Sequence, residues 1–164
     1  MTAKIDETQH YDASPVEVFA MLSDPEFIDK KCLASGSMEA SSQALEEDGV
    51  ITLVSRRVLP AKLPSFAKRF VGETVTLTET QTWTPADSDG ARTASFIVDF
   101  GNNPIAFHGD IALAAAGEGT AVTYRGNIKA SVPLVGGKIE GIAAEWITKY
   151  ATKEQQVGNE WLAG

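Results

Sequence analysis

The hydrophobic residues between positions 135 and 161 recur at steps of three and four, the spacing of one face of an α-helix. They are Ile139, Ile142, Ala143, Trp146, Ile147, Tyr150, Ala151, Val157 and Trp161. Charged residues take the other side, namely Lys138, Glu140, Glu145, Lys149 and Lys153. A helix of this length spans roughly 38 Å, enough to cross a small domain. We therefore expect it to lie across the open face of a sheet.

The start of the chain predicts one strand and two short helices. Residues 4–11 form a weakly hydrophobic strand, which we expect near a sheet edge. Ser14, Pro15 and Glu17 have the order of an N-cap, a first helical residue and a capping box. The cap-and-proline signal repeats at Asp24. The second helix, to about residue 34, turns three residues inward: Phe27, Ile28 and Cys32.

The middle of the chain has the period-two alternation of strands, interrupted by turn signals. Six segments show it: 37–46, 50–59, 74–83, 91–100, 105–113 and 122–130. Residues 66–70 between them form either one helical turn or an irregular loop. Consecutive hairpins imply antiparallel pairing. The predicted fold is therefore α+β, with a seven-stranded antiparallel sheet, two short helices after the first strand, and the long C-terminal helix across the sheet.

Composition fits a folded domain and excludes some partners. The 164 residues are 43% hydrophobic and 22% charged, near the average for globular domains, so we expect one domain over residues 1–164. A net charge of −8 argues against nucleic acid or an anionic membrane as a partner, because both bind basic surfaces. No apolar run approaches the roughly 18 residues of a membrane span. We expect a monomer or a weak dimer.

The few cysteine and histidine residues do not suggest a metal centre. Cys32 is the only cysteine, and with a polar N-terminal segment this fits a cytoplasmic protein. Its place on an apolar face predicts packing, and a nucleophilic role would need a base beside it. His10 and His108 fall on strand faces assigned to solvent. We expect neither a metal nor a cofactor.

The order of elements resembles the helix-grip fold of the START-like and polyketide-cyclase (SRPBCC) superfamily. The stretch similar to its first-helix segment is Ser14-Pro15-x-x-Val18-Phe19-x-Met21-Leu22-Ser23-Asp24-Pro25-x-Phe27. Further stretches resemble, more narrowly, the bacterial domain-of-unknown-function family 2505: Leu59-Pro60-x-x-Leu63-Pro64, Phe70-Val71, Thr80-x-Thr82-Trp83 and Val132-Pro133-Leu134-Val135-Gly136-Gly137-Lys138-Ile139-Glu140. The superfamily resemblance implies an apolar cavity between sheet and helix. Its members bind lipids, sterols, polyketides or hormones, and a minority catalyse cyclisations or related steps.

The residues expected to form the wall of such a cavity lie on the inward stripes of the strands and the last helix. They are Leu77, Glu79, Trp83, Phe96, Val98, Phe107, Ile111, Tyr124, Ile142, Ala143, Trp146 and Tyr150. Most are core-forming types, so the sequence leaves open whether the cavity is filled or empty.

Glu79 is the unusual member of this set, because an unpaired buried carboxylate is costly. It could orient a polar ligand group or transfer a proton. Alternatively it lies near the wet end of the cavity, or pairs with Arg56, Arg57 or Arg125.

The segment Gly136-Gly137-Lys138 precedes the last helix but lacks the spacing of a phosphate-binding loop. It predicts a flexible turn, which at the cavity mouth would let Lys138 meet a polar or anionic head group.

The sequence therefore favours a protein that binds a small hydrophobic or amphipathic ligand, lipid-like or polyketide-like. One alternative is a cyclase- or hydrolase-type enzyme that uses Glu79, Tyr124 or Tyr150 for proton transfer. Another is a stress-response or co-chaperone module that acts through its surface.

Overall fold

The computed structural model of the protein describes residues 2–164, all but Phe70 with their side chains. The strands are β1 (Ala3–Tyr11), β2 (Glu39–Glu47), β3 (Val50–Pro60), β4 (Thr74–Trp83), β5 (Arg92–Asp99), β6 (Ile105–Ala116) and β7 (Gly119–Ala130). The helices are α1 (Pro15–Leu22), α2 (Pro25–Ala34), α3 (Ser65–Val71) and α4 (Gly136–Leu162).

The seven strands form one antiparallel sheet in the order β1-β7-β6-β5-β4-β3-β2. Each of β2 to β6 pairs with the next strand in sequence, and β1 closes the order at an edge beside β7. The long helix α4 packs on β1 and β7 and contacts α2. The predicted α+β helix-grip architecture, with α4 across the sheet, is confirmed.

The starts of α1 and α2 are capped as the sequence predicts. The backbone N–H of Glu17 donates to the Ser14 hydroxyl at 3.3 Å, and that hydroxyl donates to the Glu17 carboxylate at 3.0 Å. The Asp24 carboxylate accepts from the N–H of Glu26 at 2.9 Å. These bonds satisfy backbone donors that the first turn of a helix leaves free. The second helix then buries Phe27 and the other inward residues named above.

For residues 66–70, between β3 and β4, the sequence leaves a helical turn and an irregular loop as alternatives. In the structure this segment belongs to the short helix α3. Its Ala67 is fully buried in a small cluster with Ala130, Val132 and Ile139. This cluster packs α3 against the end of β7 and the start of α4.

One charged residue departs from the expected pattern of α4. Periodicity predicts Glu140 on the solvent side, yet it is only 3% exposed. Its carboxylate accepts a hydrogen bond at 3.0 Å from the backbone N–H of Ala130, the last residue of β7. Gly136 and Ile139 pack against Ala130 at this point, so the neighbouring Glu140 is enclosed and bonded to backbone.

Candidate functional site

A cavity of about 490 Å³ lies between the sheet and α4. Its wall combines residues from both elements and is mainly aliphatic and aromatic. The apolar and tyrosine lining residues include Ile5, Leu59, Leu77, Phe96, Val98, Phe100, Phe107, Tyr124, Ala143, Trp146, Ile147 and Tyr150. The helix α4 packs on the sheet along β1 and β7, and residues of β3 to β6 line the cavity beside this contact.

Nine of the twelve expected wall residues line this cavity: Leu77, Glu79, Phe96, Val98, Phe107, Tyr124, Ala143, Trp146 and Tyr150. The structure brings them together from β4, β5, β6, β7 and α4. That they contact a ligand stays a prediction.

Trp83, Ile111 and Ile142 do not line the cavity. Trp83 is fully buried beneath α1, with 5.1 Å between the centroids of its ring and that of Phe19. Ile111 is buried in the core, whereas Ile142 is half-exposed on α4. Alternation indicates which face of a strand a residue occupies. It does not indicate which part of that face is covered by α1 rather than by α4.

One buried ion pair in the cavity wall joins β3 to β4. The Nη1 atom of Arg57 lies 3.4 Å from the Glu79 carboxylate, and the two side chains are 8% and 13% exposed. Gln81 donates a second hydrogen bond to Glu79 at 2.7 Å. Of the arrangements open for Glu79, the structure has the pairing with Arg57.

A second buried ion pair joins α2 to α4, and nothing in the sequence pattern predicts it. Lys31 pairs with Glu154, and both are nearly fully buried. Glu154 also accepts a hydrogen bond from the Gln9 amide at 2.7 Å, and Gln9 accepts one from the Tyr11 hydroxyl at 2.9 Å. The pair spans 123 residues of sequence, so the pairing has no local signal, although Lys31 and Glu154 both fall on the inward stripes of their helices, four residues after Phe27 and Tyr150.

The protonation of the buried groups follows from these contacts. Burial alone would raise the pKa of Glu79, but the positive charges of Arg57 and Lys31 outweigh it and hold the pKa below the ordinary value. Burial raises the pKa of the Tyr150 and Tyr124 hydroxyls well above the ordinary range. Burial lowers the pKa of Lys31, but attraction to Glu154 reverses this and raises it. At neutral pH Glu79 and Lys31 are therefore charged, and Tyr124 and Tyr150 are neutral.

Cys32 lies behind the cavity wall, at 1% exposure. Its sulfur is 3.2 Å from the Tyr150 hydroxyl and 3.8 Å from Nη1 of Arg57. His10 and His108 are both exposed, so neither supplies a base to this thiol. Within residues 2–164, no three His, Cys, Asp or Glu side chains group as ligands for a metal ion.

The cavity reaches the protein surface, because the exposed residues Lys62 and Lys149 contribute to its lining. Gly136 and Lys138 do not line it, so the prediction that this turn lies at the cavity mouth is wrong. Gly136 instead packs so tightly on β7 that a Cβ atom there would lie 2.4 Å from the carbonyl oxygen of Ala130. Lys138 lies over the ring of Phe66.

Comparison with protein families gives one match across almost the whole chain. The model of the family described as "Protein of unknown function (DUF2505)" matches residues 6–162. The chain belongs to this family. A curated relative, an "Uncharacterized protein" of Mycobacterium tuberculosis strain H37Rv, is 24% identical over 119 residues, which are 71% of this chain and 68% of that protein.

Solved structures similar to this DUF2505 protein share its fold. A START superfamily protein from Mycobacterium smegmatis has a TM-score of 0.64 at 12% identity, covering 96% of this chain and 98% of its own. TTHA0849 from Thermus thermophilus has a TM-score of 0.66 at 17% identity, covering 96% and 95%. The alignment with Ara h 8.0201 covers 100% of this chain and 100% of that one, with a TM-score of 0.59 at 13% identity. The predicted START-like, helix-grip resemblance is confirmed.

Over residues 2–164, the helices are too short or too polar to span a lipid bilayer.

Proposed function

We propose that this protein binds a small hydrophobic or amphipathic molecule in the cavity between the sheet and α4. The cavity itself is the observation that carries the proposal: about 490 Å³ walled mostly by apolar and aromatic side chains. Sites for small molecules typically enclose roughly 300–1,000 Å³ and place a few polar groups among apolar ones. Burial of apolar ligand surface contributes about 25 cal/mol per Å², so affinity needs no covalent or metal bond.

The proposed ligand contacts are the nine expected residues that line the cavity. The aromatic rings of Phe96, Phe107 and Trp146 offer the largest apolar surfaces. Near them the ion pair of Arg57 with Glu79 gives the cavity a polar region. One apolar region and one polar region in the same cavity suit an amphipathic ligand better than a wholly apolar one.

Binding has more support than proton transfer. A catalytic acid or base works best with a pKa near the working pH. The pKa of Glu79 is held below its ordinary value, and the pKa values of Tyr124 and Tyr150 are raised above theirs. These directions favour groups that donate and accept hydrogen bonds without changing protonation.

Native mass spectrometry of protein purified without detergent tests the proposal. We expect an additional mass that leaves on denaturation, and saturable binding of the neutral dye N-phenyl-1-naphthylamine. Ala143→Phe, which fills the cavity, should lose both, whereas Glu145→Phe on the exposed side of α4 should keep both. Circular dichroism would check that each variant folds. Dye binding that survives in folded Ala143→Phe, or its absence from the unmodified protein, would overturn the proposal.

A further inference from the structure

The mouth of the cavity is framed by residues that are either positively charged or uncharged. Four of the lining residues are exposed, and they mark where the cavity reaches the surface: Ala34, Gly36, Lys62 and Lys149. Ala34 ends α2, Lys62 follows β3, and Lys149 lies on α4. The mouth therefore lies between these three elements, and none of its exposed residues is acidic.

Two lysines share one edge of α4 at this mouth. Lys149 and the half-exposed Lys153 both line the cavity and lie one turn apart, so their Cβ atoms are neighbours at roughly 5–6 Å. Like charges at this spacing slightly destabilise a helix, so helix stability does not explain the pair. Together with Lys62 they form the group of mouth lysines.

The segment that carries Lys62 is anchored to the rest of the fold. The N–H of the adjacent Ala61 donates to the carbonyl oxygen of Glu73 at 2.9 Å, and Ala61 is 3% exposed. The carboxylate of Glu73 pairs with Lys68 at 3.8 Å. Lys62 is therefore held at the mouth by its neighbour, while this carboxylate is engaged elsewhere.

The charges that line the cavity have a positive surplus. Five lining residues are basic and three are acidic: Lys31, Arg57, Lys62, Lys149 and Lys153 against Glu7, Glu79 and Glu154. The buried pairs of Lys31 with Glu154 and of Arg57 with Glu79 cancel. Among residues 2–164, no carboxylate forms an ion pair with a mouth lysine. Because the whole chain has a net charge of −8, the positive mouth is a local departure from the charge of the protein.

The remaining acidic lining residue, Glu7, belongs to another side of α4. Its carboxylate accepts a hydrogen bond at 2.7 Å from the hydroxyl of Thr148, where α4 contacts β1. At 3.6 residues per turn, Thr148 points about 100° away from Lys149 and about 140° away from Lys153 around the helix axis. Glu7 is therefore engaged at the contact of α4 with β1, and it leaves the charge of the mouth lysines uncompensated.

An anionic group at the mouth would gain attraction without losing its hydration. Burying a charge inside the cavity would be costly, but the exposed mouth keeps the group in contact with water. At physiological ionic strength charges act over about 8 Å, so the anion must lie at the mouth itself. The interior of about 490 Å³ is near the lower end of the range for ligand sites, roughly 300–1,000 Å³, which suits one apolar chain.

We propose that the cavity binds amphiphiles with one apolar chain and an anionic head group, such as a long-chain carboxylate. The chain lies inside, against the aliphatic and aromatic wall, and the head group lies at the mouth beside Lys62, Lys149 and Lys153. This inference rests on the proposed function and deepens it, because it names the charge of the ligand and the direction in which the ligand enters.

The test compares amphiphiles with the same chain, decanoate, decyltrimethylammonium and 1-decanol, as competitors of bound N-phenyl-1-naphthylamine at about pH 8, where the carboxylate is ionised. We expect decanoate to displace the dye at concentrations about tenfold lower than the cation does. Raising sodium chloride from about 20 mM to about 500 mM should weaken decanoate and not 1-decanol, since salt screens only the charged head group.

A triple variant identifies the lysines responsible. Lys62→Gln, Lys149→Gln and Lys153→Gln combined should weaken decanoate about tenfold and change the affinity for 1-decanol and for the dye less than about twofold. The matched control removes as much charge from exposed lysines that do not line the cavity, through Lys4→Gln, Lys129→Gln and Lys138→Gln. It should change the affinity for decanoate less than about twofold. Circular dichroism would check that both proteins fold.

Three outcomes would overturn the inference. They are decanoate that competes no better than decyltrimethylammonium, equal losses of decanoate affinity in the two triple variants, and decanoate that still binds folded Ala143→Phe in isothermal titration calorimetry. In each case the proposed function stands if the dye binds the unmodified protein and is lost from Ala143→Phe. A dye that fails to bind the unmodified protein removes both.

Discussion

The guanidinium of Arg57 stacks on the ring of Tyr150, with 4.7 Å between Cζ and the ring centroid. This contact links β3 to α4 across the cavity. The Tyr150 hydroxyl in turn lies 3.2 Å from the sulfur of Cys32 on α2. One cluster of three side chains therefore joins the sheet, the long helix and a short helix at the polar region of the cavity.

The contributions of Arg57 and Glu79 to the free energy of unfolding should depend strongly on each other. Arg57→Met leaves a buried carboxylate without its main partner, which should lower the free energy of unfolding by about 3 kcal/mol. Arg57→Met combined with Glu79→Met removes both charges and should cost about 1 kcal/mol, much less than the sum of the single changes. Urea unfolding of the four proteins gives the coupling energy. Additive single effects would show that the 3.4 Å pair does not interact in solution.

The same pair should make stability depend on acidic pH. Because the folded pKa of Glu79 is lowered from its ordinary value of 4.5, its contribution is complete above that value. It is lost as the pH falls through the folded pKa. Thermal unfolding between pH 3 and pH 7 should therefore show a steeper loss below about pH 4.5 in the unmodified protein than in Glu79→Gln. Glu118→Gln, at an exposed turn, is the matched control and should retain the steep loss.

The sequence predicts both Trp83 and Trp146 in the cavity wall, but substitutions of the two should have different effects. Trp146 lines the cavity and is half-exposed, so Trp146→Ala should weaken dye binding roughly fivefold to tenfold while the protein stays folded. Trp83 is fully buried against Phe19, so Trp83→Phe should lower the free energy of unfolding by about 2 kcal/mol and leave dye affinity unchanged. Fluorescence titration and urea unfolding of both variants give the two readouts. Equal effects on binding would place the dye outside the described cavity.

The sequence predicts the fold well because local rules dominate it. Ser14 and Asp24 cap the first turns of α1 and α2, because their side chains accept hydrogen bonds from backbone N–H groups two or three residues later. Period-two alternation and tight turns then specify the strands and their antiparallel order. In α4 the spacing of hydrophobic residues indicates the face that meets the sheet. Each of these signals lies within a few residues of the structure that it determines.

The buried polar contacts could not be predicted in the same way. Helix periodicity places Glu140 toward solvent, yet it is buried, and Lys31 and Glu154 are charged residues on the inward stripes of α2 and α4. Each is compensated by a group distant in sequence or by backbone, such as the N–H of Ala130 for Glu140. Spacing of three and four marks Lys31 and Glu154 as inward positions, but their partners depend on how the elements pack, which no local pattern gives.

Replacing Gly141 or Gly158 of α4 with alanine should change stability in opposite directions, because only Gly158 lies against β1. A Cβ atom at Gly158 would lie 2.4 Å from the ring of Tyr11, whereas one at Gly141 would meet nothing within 4 Å. Tyr11 is 1% exposed and its hydroxyl is bonded to Gln9, so its ring has little room to move. Gly141→Ala should stabilise the protein by about 0.5–1 kcal/mol, the usual gain in a helix. Gly158→Ala should destabilise it by about 2 kcal/mol through overpacking. Urea unfolding measures both, and a stabilised Gly158→Ala variant would show that α4 can shift away from β1 at low cost.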